Sequence, residues 1–137
     1  MTAARPKAAS VRESAFSAVK DDGNGDAPPI DLVHLARQTD GDEALEDELL
    51  KMFDTQSAKL LARLRLAEVG PQAKADIAHR LKGSALAIGA RRVAEAATTT
   101  ETHFAKSAAG EPTHGDPLVD LQAAIDEARA AIGRLSR

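Results

Sequence analysis

His79 sits in the one stretch of the 137-residue chain whose residue types and spacing can do chemistry, Ala78-His79-Arg80-Leu81-Lys82-Gly83-Ser84-Ala85-Leu86-Ala87-Ile88-Gly89-Ala90. On a helix turning by about 100° per residue, Ile77, Leu81, Ser84 and Ile88 share a narrow sector that faces a core. His79, Lys82, Gly83 and Leu86 fall on the opposite side, so the histidine is expected to be exposed at mid-helix. An imidazole is largely neutral near pH 7 and is then a competent nucleophile. Gly83 lies one turn further along the same face, where a helical glycine costs about 1 kcal/mol relative to alanine. No kink is needed there, so the gain is clearance: another molecule can bring its reacting group close to the ring. Lys82 can set an ammonium beside phosphoryl oxygens and offset their charge. Leu86 continues the face as an exposed apolar spot suited to docking, with Ala75 and Arg80 expected beside it as further docking positions.

The rest of the chain offers this nucleophile little chemical help. No serine or cysteine arrangement builds a triad with it, and no glycine-rich loop cradles a nucleotide phosphate. The chain can therefore accept a group and pass it on, but another protein must deliver it. His34, His103 and His114 share no metal-ligand spacing with His79 and read as structural or solvent-exposed. Arg91 and Arg92 open a helix against its macrodipole, which fits either a partner contact or plain surface charge.

The elements that must position His79 follow from periodicity. A short helix over Asp31–Gln38 carries Leu32 and Leu35 on one side and ends at Thr39-Asp40-Gly41. A long helix is expected from an Asp42 N-cap to about Val69. Its stripe is read as Leu45, Leu49, Met52, Phe53, Leu60 and Leu64. Gly70 is read as the C′ residue that closes it, and Pro71 opens the next helix at a position where a missing N–H costs nothing. That third helix runs to Ile88, and Gly89 breaks it. A fourth covers Arg91–Lys106 with Val93, Ala97, Thr100 and Phe104 inside. Ser107–Pro117 is a loop, and a last helix, Leu118–Leu135, buries Leu118, Leu121, Ile125, Ala128 and Ile132 or Leu135. The fold expected is all-α: an antiparallel four-helix bundle over residues 29–137 with the short additional N-terminal helix as a lid. Residues 1–28 end in Asp-Asp-Gly-Asn-Gly-Asp-Ala-Pro-Pro and are read as a flexible tail, with at most a weak helix over Val11–Lys20.

Composition bounds the partners. Hydrophobic residues make up 43% but Trp and Tyr are absent and Phe occurs three times, so the core must be built of Ala, Leu, Ile and Val, which favours helices. The net charge of −3 and the missing aromatic platforms argue against nucleic acid as a partner. Without cysteine there is neither a disulfide nor a thiolate metal site, which fits a reducing cytoplasm. No apolar run is long enough to span a membrane or to serve as a secretory leader.

The string His79-x-Leu81-Lys82-Gly83-Ser84-Ala85, with Gly89-Ala90 at the helix end, resembles the sequence around the phosphorylated histidine of histidine phosphotransfer (HPt) domains, the carriers of multistep phosphorelays. The resemblance implies that His79 is the phosphoacceptor, that Lys82 assists it and that Gly83 provides access. It also implies response-regulator receiver domains, a hybrid histidine kinase, or both, as partners of a monomeric, cytoplasmic carrier without kinase activity of its own. Family members commonly place Gln or a similar polar residue 22 positions after the histidine, near the imidazole; this chain has Glu101 there. Its carboxylate either orients the ring through an N–H or makes an ordinary flanking salt bridge. No cofactor is expected on the chain. Mg²⁺ is expected on the receiver, since no carboxylate cluster lies beside His79. Two other readings compete with the phosphocarrier. One is the phosphoacceptor domain of a chemotaxis-type histidine kinase, disfavoured because the chain ends at Arg137 without room for an ATPase domain. The other is a receiver-binding module without transfer, for which His79 would be dispensable. Kinase dimerisation helices usually follow their histidine with an acidic residue and then Pro, whereas Arg80 follows here.

Overall fold

Residues 28–135 are described by a computed structural model, and they form five helices with no strand among them. They are α1 (Leu32–Gln38), α2 (Glu43–Leu64), α3 (Pro71–Ile88), α4 (Arg91–Ala108) and α5 (Pro117–Leu135). The tail expected over residues 1–28, with its weak helix over Val11–Lys20, lies outside the described residues except for Pro28. None of the helices described is long and apolar enough to cross a membrane.

The helix starts follow from local chemistry. The side chain of Asp31 accepts a hydrogen bond from the His34 amide at 3.1 Å and caps α1. Asp42 does the same for the Leu45 amide at 3.1 Å and caps α2. Pro71 opens α3 and Pro117 opens α5. At the far end of α3, Gly89 takes a left-handed conformation (φ 79°), and the Ala90 amide donates back to the Ala85 carbonyl at 2.8 Å. That closure turns the chain into α4 within two residues.

Helices α2, α3, α4 and α5 contact one another in sequence, and α5 returns to α2, closing a ring around the core; α3 and α4 form the most extensive pair. α1 lies across α3 and α2, tied at its start by the Asp31 amide donating to the Gly89 carbonyl at 2.9 Å. The interior holds Leu50, Phe53, Leu60 and Leu64 of α2, Ile77, Leu81 and Ile88 of α3, Val93 and Ala97 of α4, and Leu121, Ile125 and Ile132 of α5. Burying a side chain of the Leu or Ile class contributes about 1.5–3 kcal/mol. These positions are what fix the rotation of α3 and hence the direction of His79.

Three expectations are corrected. First, α2 ends at Leu64, not near Val69. Gly70 precedes a proline, which forces it into extended backbone (φ −73°, ψ 168°), so it is the N-cap of α3 and not a left-handed C′ residue. The chain needs residues 65–70 to turn, and the Arg65 guanidinium spans to Gln122 of α5 at 2.6 Å. Second, the buried stripe of α2 is Glu46, Leu50, Phe53, Ser57, Leu60, Leu61 and Leu64. Leu45 and Met52 are exposed, on the flank beside it. Two polar residues hold inner positions because partners exist for them: Thr39 at the end of α1 donates its hydroxyl to Glu46 Oε2 at 3.0 Å, and Ser57 donates to the Asp54 carbonyl at 3.3 Å. Third, Ser84 is only half buried, and its hydroxyl donates to Gln56 Oε1 of α2 at 3.1 Å.

Candidate functional site

The core residues Ile77, Leu81, Ala85 and Ile88 turn one side of α3 inward and leave His79 outward, with 65% of its side chain accessible. α4 packs along the adjacent side, where the small residues Ala78 and Ala85 allow the two helices to approach closely. This brings Glu101 of α4 to the imidazole: its Oε2 lies 3.0 Å from His79 Nδ1. The other carboxylate oxygen, Oε1, lies 3.6 Å from Lys82 Nζ. Glu101 thus bridges the histidine and the lysine one turn beyond it.

The bridge fixes where the proton sits on the ring. An ionised carboxylate only accepts hydrogen bonds, so Nδ1 is the donor and Nε2 carries the free lone pair. The ring is thereby held in the tautomer that leaves Nε2 unprotonated and directed away from Glu101. No group of three or more His, Cys, Asp or Glu side chains suited to a metal ion occurs among the described residues.

The surroundings of the ring are open. A Cβ added at Gly83 would meet no atom within 4 Å, so nothing among the described residues requires glycine there. Leu86 is 54% exposed, and Arg80 is exposed. Ala75 is not part of this face: it is 3% exposed. Its position, three and seven residues before Ala78 and Lys82, puts it on the side of α3 that faces α4, where a methyl group fits the close contact. The docking role expected for Ala75 is withdrawn on that ground.

α2 meets α3 at Ser84, five residues beyond His79. Gln56 accepts the Ser84 hydroxyl, and Met52, one turn earlier on the same flank, is 59% exposed. Glu48, Lys51, Thr55 and Lys59 line a surface groove with these two. The sequence did hold a signal of this exposure, because Leu45 and Met52 lie off the arc defined by Phe53, Leu60 and Leu64. Of the two arginines that open α4, Arg92 is engaged within the chain, its Nε donating to Glu127 Oε1 at 2.8 Å. His103 stacks edge-on against Phe104 with ring centres 4.9 Å apart, which is a structural role.

The family model of the Hpt domain matches residues 48–131, more than half of the chain. The chain belongs to the Hpt domain family. No curated protein and no solved structure matches it. Hpt domains are phosphocarriers that perform histidine phosphotransfer in phosphorelays, where they interact with receiver domains and kinases. The matched span of this Hpt domain contains all of α3 and α4, and with them His79, Lys82, Gly83 and Glu101.

Proposed function

We propose that this Hpt protein accepts a phosphoryl group on His79 Nε2 from the aspartyl phosphate of one receiver domain and hands it to the aspartate of another. The observation that carries the reading is the pairing of an exposed imidazole with a carboxylate on its Nδ1, which leaves Nε2 free and outward. In the accepting step Nε2 forms a bond to phosphorus while the P–O bond to the receiver's aspartate breaks, and the proton stays on Nδ1. Lys82 offsets the charge of the phosphoryl oxygens during the move. Gly83 leaves room for the receiver's active site, while Arg80 and Leu86 of α3 and Met52 of α2 contact the receiver around it. Mg²⁺ belongs to the receiver in this reading, because phosphoryl transfer from an aspartate needs the metal at the acyl phosphate. The protein acts as a cytoplasmic carrier with no ATP chemistry of its own.

The scaffold for this chemistry is an antiparallel four-helix bundle. Arg129 pairs with Asp54 at 2.8 Å while Arg65 bonds Gln122, so positions rising along α2 meet positions falling along α5. Lys82 and Lys74 of α3 meet Glu101 and Phe104 of α4 in the same reversed order. Both sets of contacts support the alternating directions.

The test is incubation of the purified chain with phosphorylated receiver domains from the same organism, following label onto the chain. Label on the wild type that resists base, is lost in acid and is absent from His79→Gln supports the reading. Equal labelling of His79→Gln overturns it.

A further inference from the structure

We infer that the charge of Glu101, beyond its place as a hydrogen-bond acceptor, holds the proton on His79 Nδ1 after Nε2 has been phosphorylated, and so keeps the phosphohistidine in the form that gives its phosphoryl group away. The inference rests on the reading of His79 as the phosphoacceptor.

Before transfer the ring is neutral, with Nδ1–H donated to Glu101 Oε2 at 3.0 Å and the lone pair on Nε2. When the Nε2–P bond forms, the ring still bears the Nδ1 proton and becomes formally cationic. Two fates are open to it. If the proton is lost to water, breaking the Nε2–P bond must expel an imidazolate, a poor leaving group. If it is kept, the electron pair of that bond returns to Nε2 and neutral imidazole departs, as the receiver's carboxylate oxygen bonds to phosphorus. A carboxylate favours the second fate, because an opposite charge within about 4–6 Å stabilises a cation and shifts its titration by about 1–3 units. Solvent reaches both partners, at 65% of the His79 side chain and 30% of Glu101, and screens their interaction.

On α3 the ring has Asp76 three residues before it and Arg80 next to it, both exposed. α4 presents Glu101, and α3 itself presents Lys82, joined to the same carboxylate at 3.6 Å. α2, on another side of α3, offers the neutral Gln56 to Ser84, with Glu48, Lys51 and Lys59 along the same groove. As the ring gains its charge, Glu101 pairs with the ring and Lys82 becomes available to the phosphoryl oxygens at the far end. A glutamine could accept the same hydrogen bond from Nδ1 and hold the same tautomer, but without the charge it would give the phosphorylated ring no reason to keep its proton. Glu101 is on this account a positioning residue whose charge matters.

The experiment uses the full chain with its His79 phosphorylated chemically by phosphoramidate, in wild-type, Glu101→Gln and Glu101→Ala forms. The ³¹P signal of the phosphohistidine is followed against pH, and ¹⁵N shifts report the tautomer of the free ring. We expect the midpoint of the phosphohistidine titration to be lower in both variants than in wild type. Above the wild-type midpoint, label should then leave Glu101→Gln more slowly than wild type, in proportion to the smaller protonated fraction. The Nδ1–H tautomer of the free ring should persist in Glu101→Gln and become mixed in Glu101→Ala. Equal midpoints in wild type and Glu101→Gln, with His79 labelled, overturn the role of the charge and leave the phosphoacceptor reading intact. A wild type that takes no label at His79 removes both.

Discussion

Two glycines six residues apart in α3 and at its end have opposite surroundings. At Gly89 the fold itself demands glycine: φ is 79°, and an added Cβ would stand 2.9 Å from the Asp31 carbonyl oxygen and 3.0 Å from its Cβ. At Gly83 the backbone is ordinary helix, and an added Cβ would touch nothing within 4 Å. The first glycine is explained by the chain's own packing, since it lets α1 lie against the α3–α4 turn. The second is unexplained by the packing of the described residues and destabilises its helix by about 1 kcal/mol relative to alanine. A cost that the fold does not require points outward, to what approaches His79 from solution. The comparison separates a glycine that the bundle needs from one that its described packing does not need, and each can be tested by asking which property a substitution destroys.

The largest effect is expected at His79. Its replacement by Gln should remove all labelling from a phosphorylated receiver while leaving the helical circular dichroism and the urea midpoint unchanged, because an exposed side chain contributes little to stability. Next comes Gly83. In Gly83→Gln the new side chain enters open space at the exposed surface of α3, so stability should rise by roughly 0.5–1 kcal/mol from helix propensity. Transfer should fall about a hundredfold or more, since misplacing the reacting groups by about 1 Å costs that much. Single-turnover transfer and denaturant unfolding of one sample check both halves, and full transfer activity would sink the argument from access. Gly89→Ala is the converse: left-handed backbone and contacts with Asp31 should lower stability by about 2 kcal/mol, with transfer by the folded fraction little changed. A variant at Gly89 that unfolds no earlier than wild type would erase the contrast.

What the sequence could disclose divides along the same line. The limits of α3 are legible because Pro71 and Gly89 punctuate it, and the outward direction of His79 follows from Ile77, Leu81 and Ile88 alone. α2 is less legible, since Glu46 and Ser57 occupy inner positions only through partners, Thr39 and the Asp54 carbonyl, that periodicity cannot see. That is why periodicity alone counts Leu45 and Met52 in its stripe, although both are exposed. Ala75 was misassigned because alanine is equally at home on a surface and in a tight helix contact. The pairing of His79 with Glu101 joins two helices 22 residues apart. Only the resemblance to a family made it visible, as no rule of spacing links positions on different helices.

The smallest of these effects is expected at Lys82, and it tests whether the outward face has graded parts. Lys82 touches no core residue by charge; its ammonium sits 3.6 Å from Glu101 Oε1, with 29% of the side chain accessible. A partly exposed pair of this kind contributes at most about 1 kcal/mol to stability, so Lys82→Ala should unfold almost where wild type does. The hydrogen bond from His79 Nδ1 to Oε2 uses the other carboxylate oxygen and survives the substitution, so the nucleophile keeps its tautomer. What is lost is one positive charge near the moving phosphoryl oxygens, for which a decrease in transfer of about tenfold is expected. Because that charge matters as the group moves more than as the receiver docks, the loss should appear in the single-turnover rate at saturating receiver and not in the receiver's dissociation constant. Lys82→Arg keeps the charge and should recover part of the rate. If Lys82→Ala weakens receiver binding and leaves the saturated rate alone, the lysine belongs with Leu86 among the docking residues, and the chemistry of the face rests on the imidazole and its carboxylate.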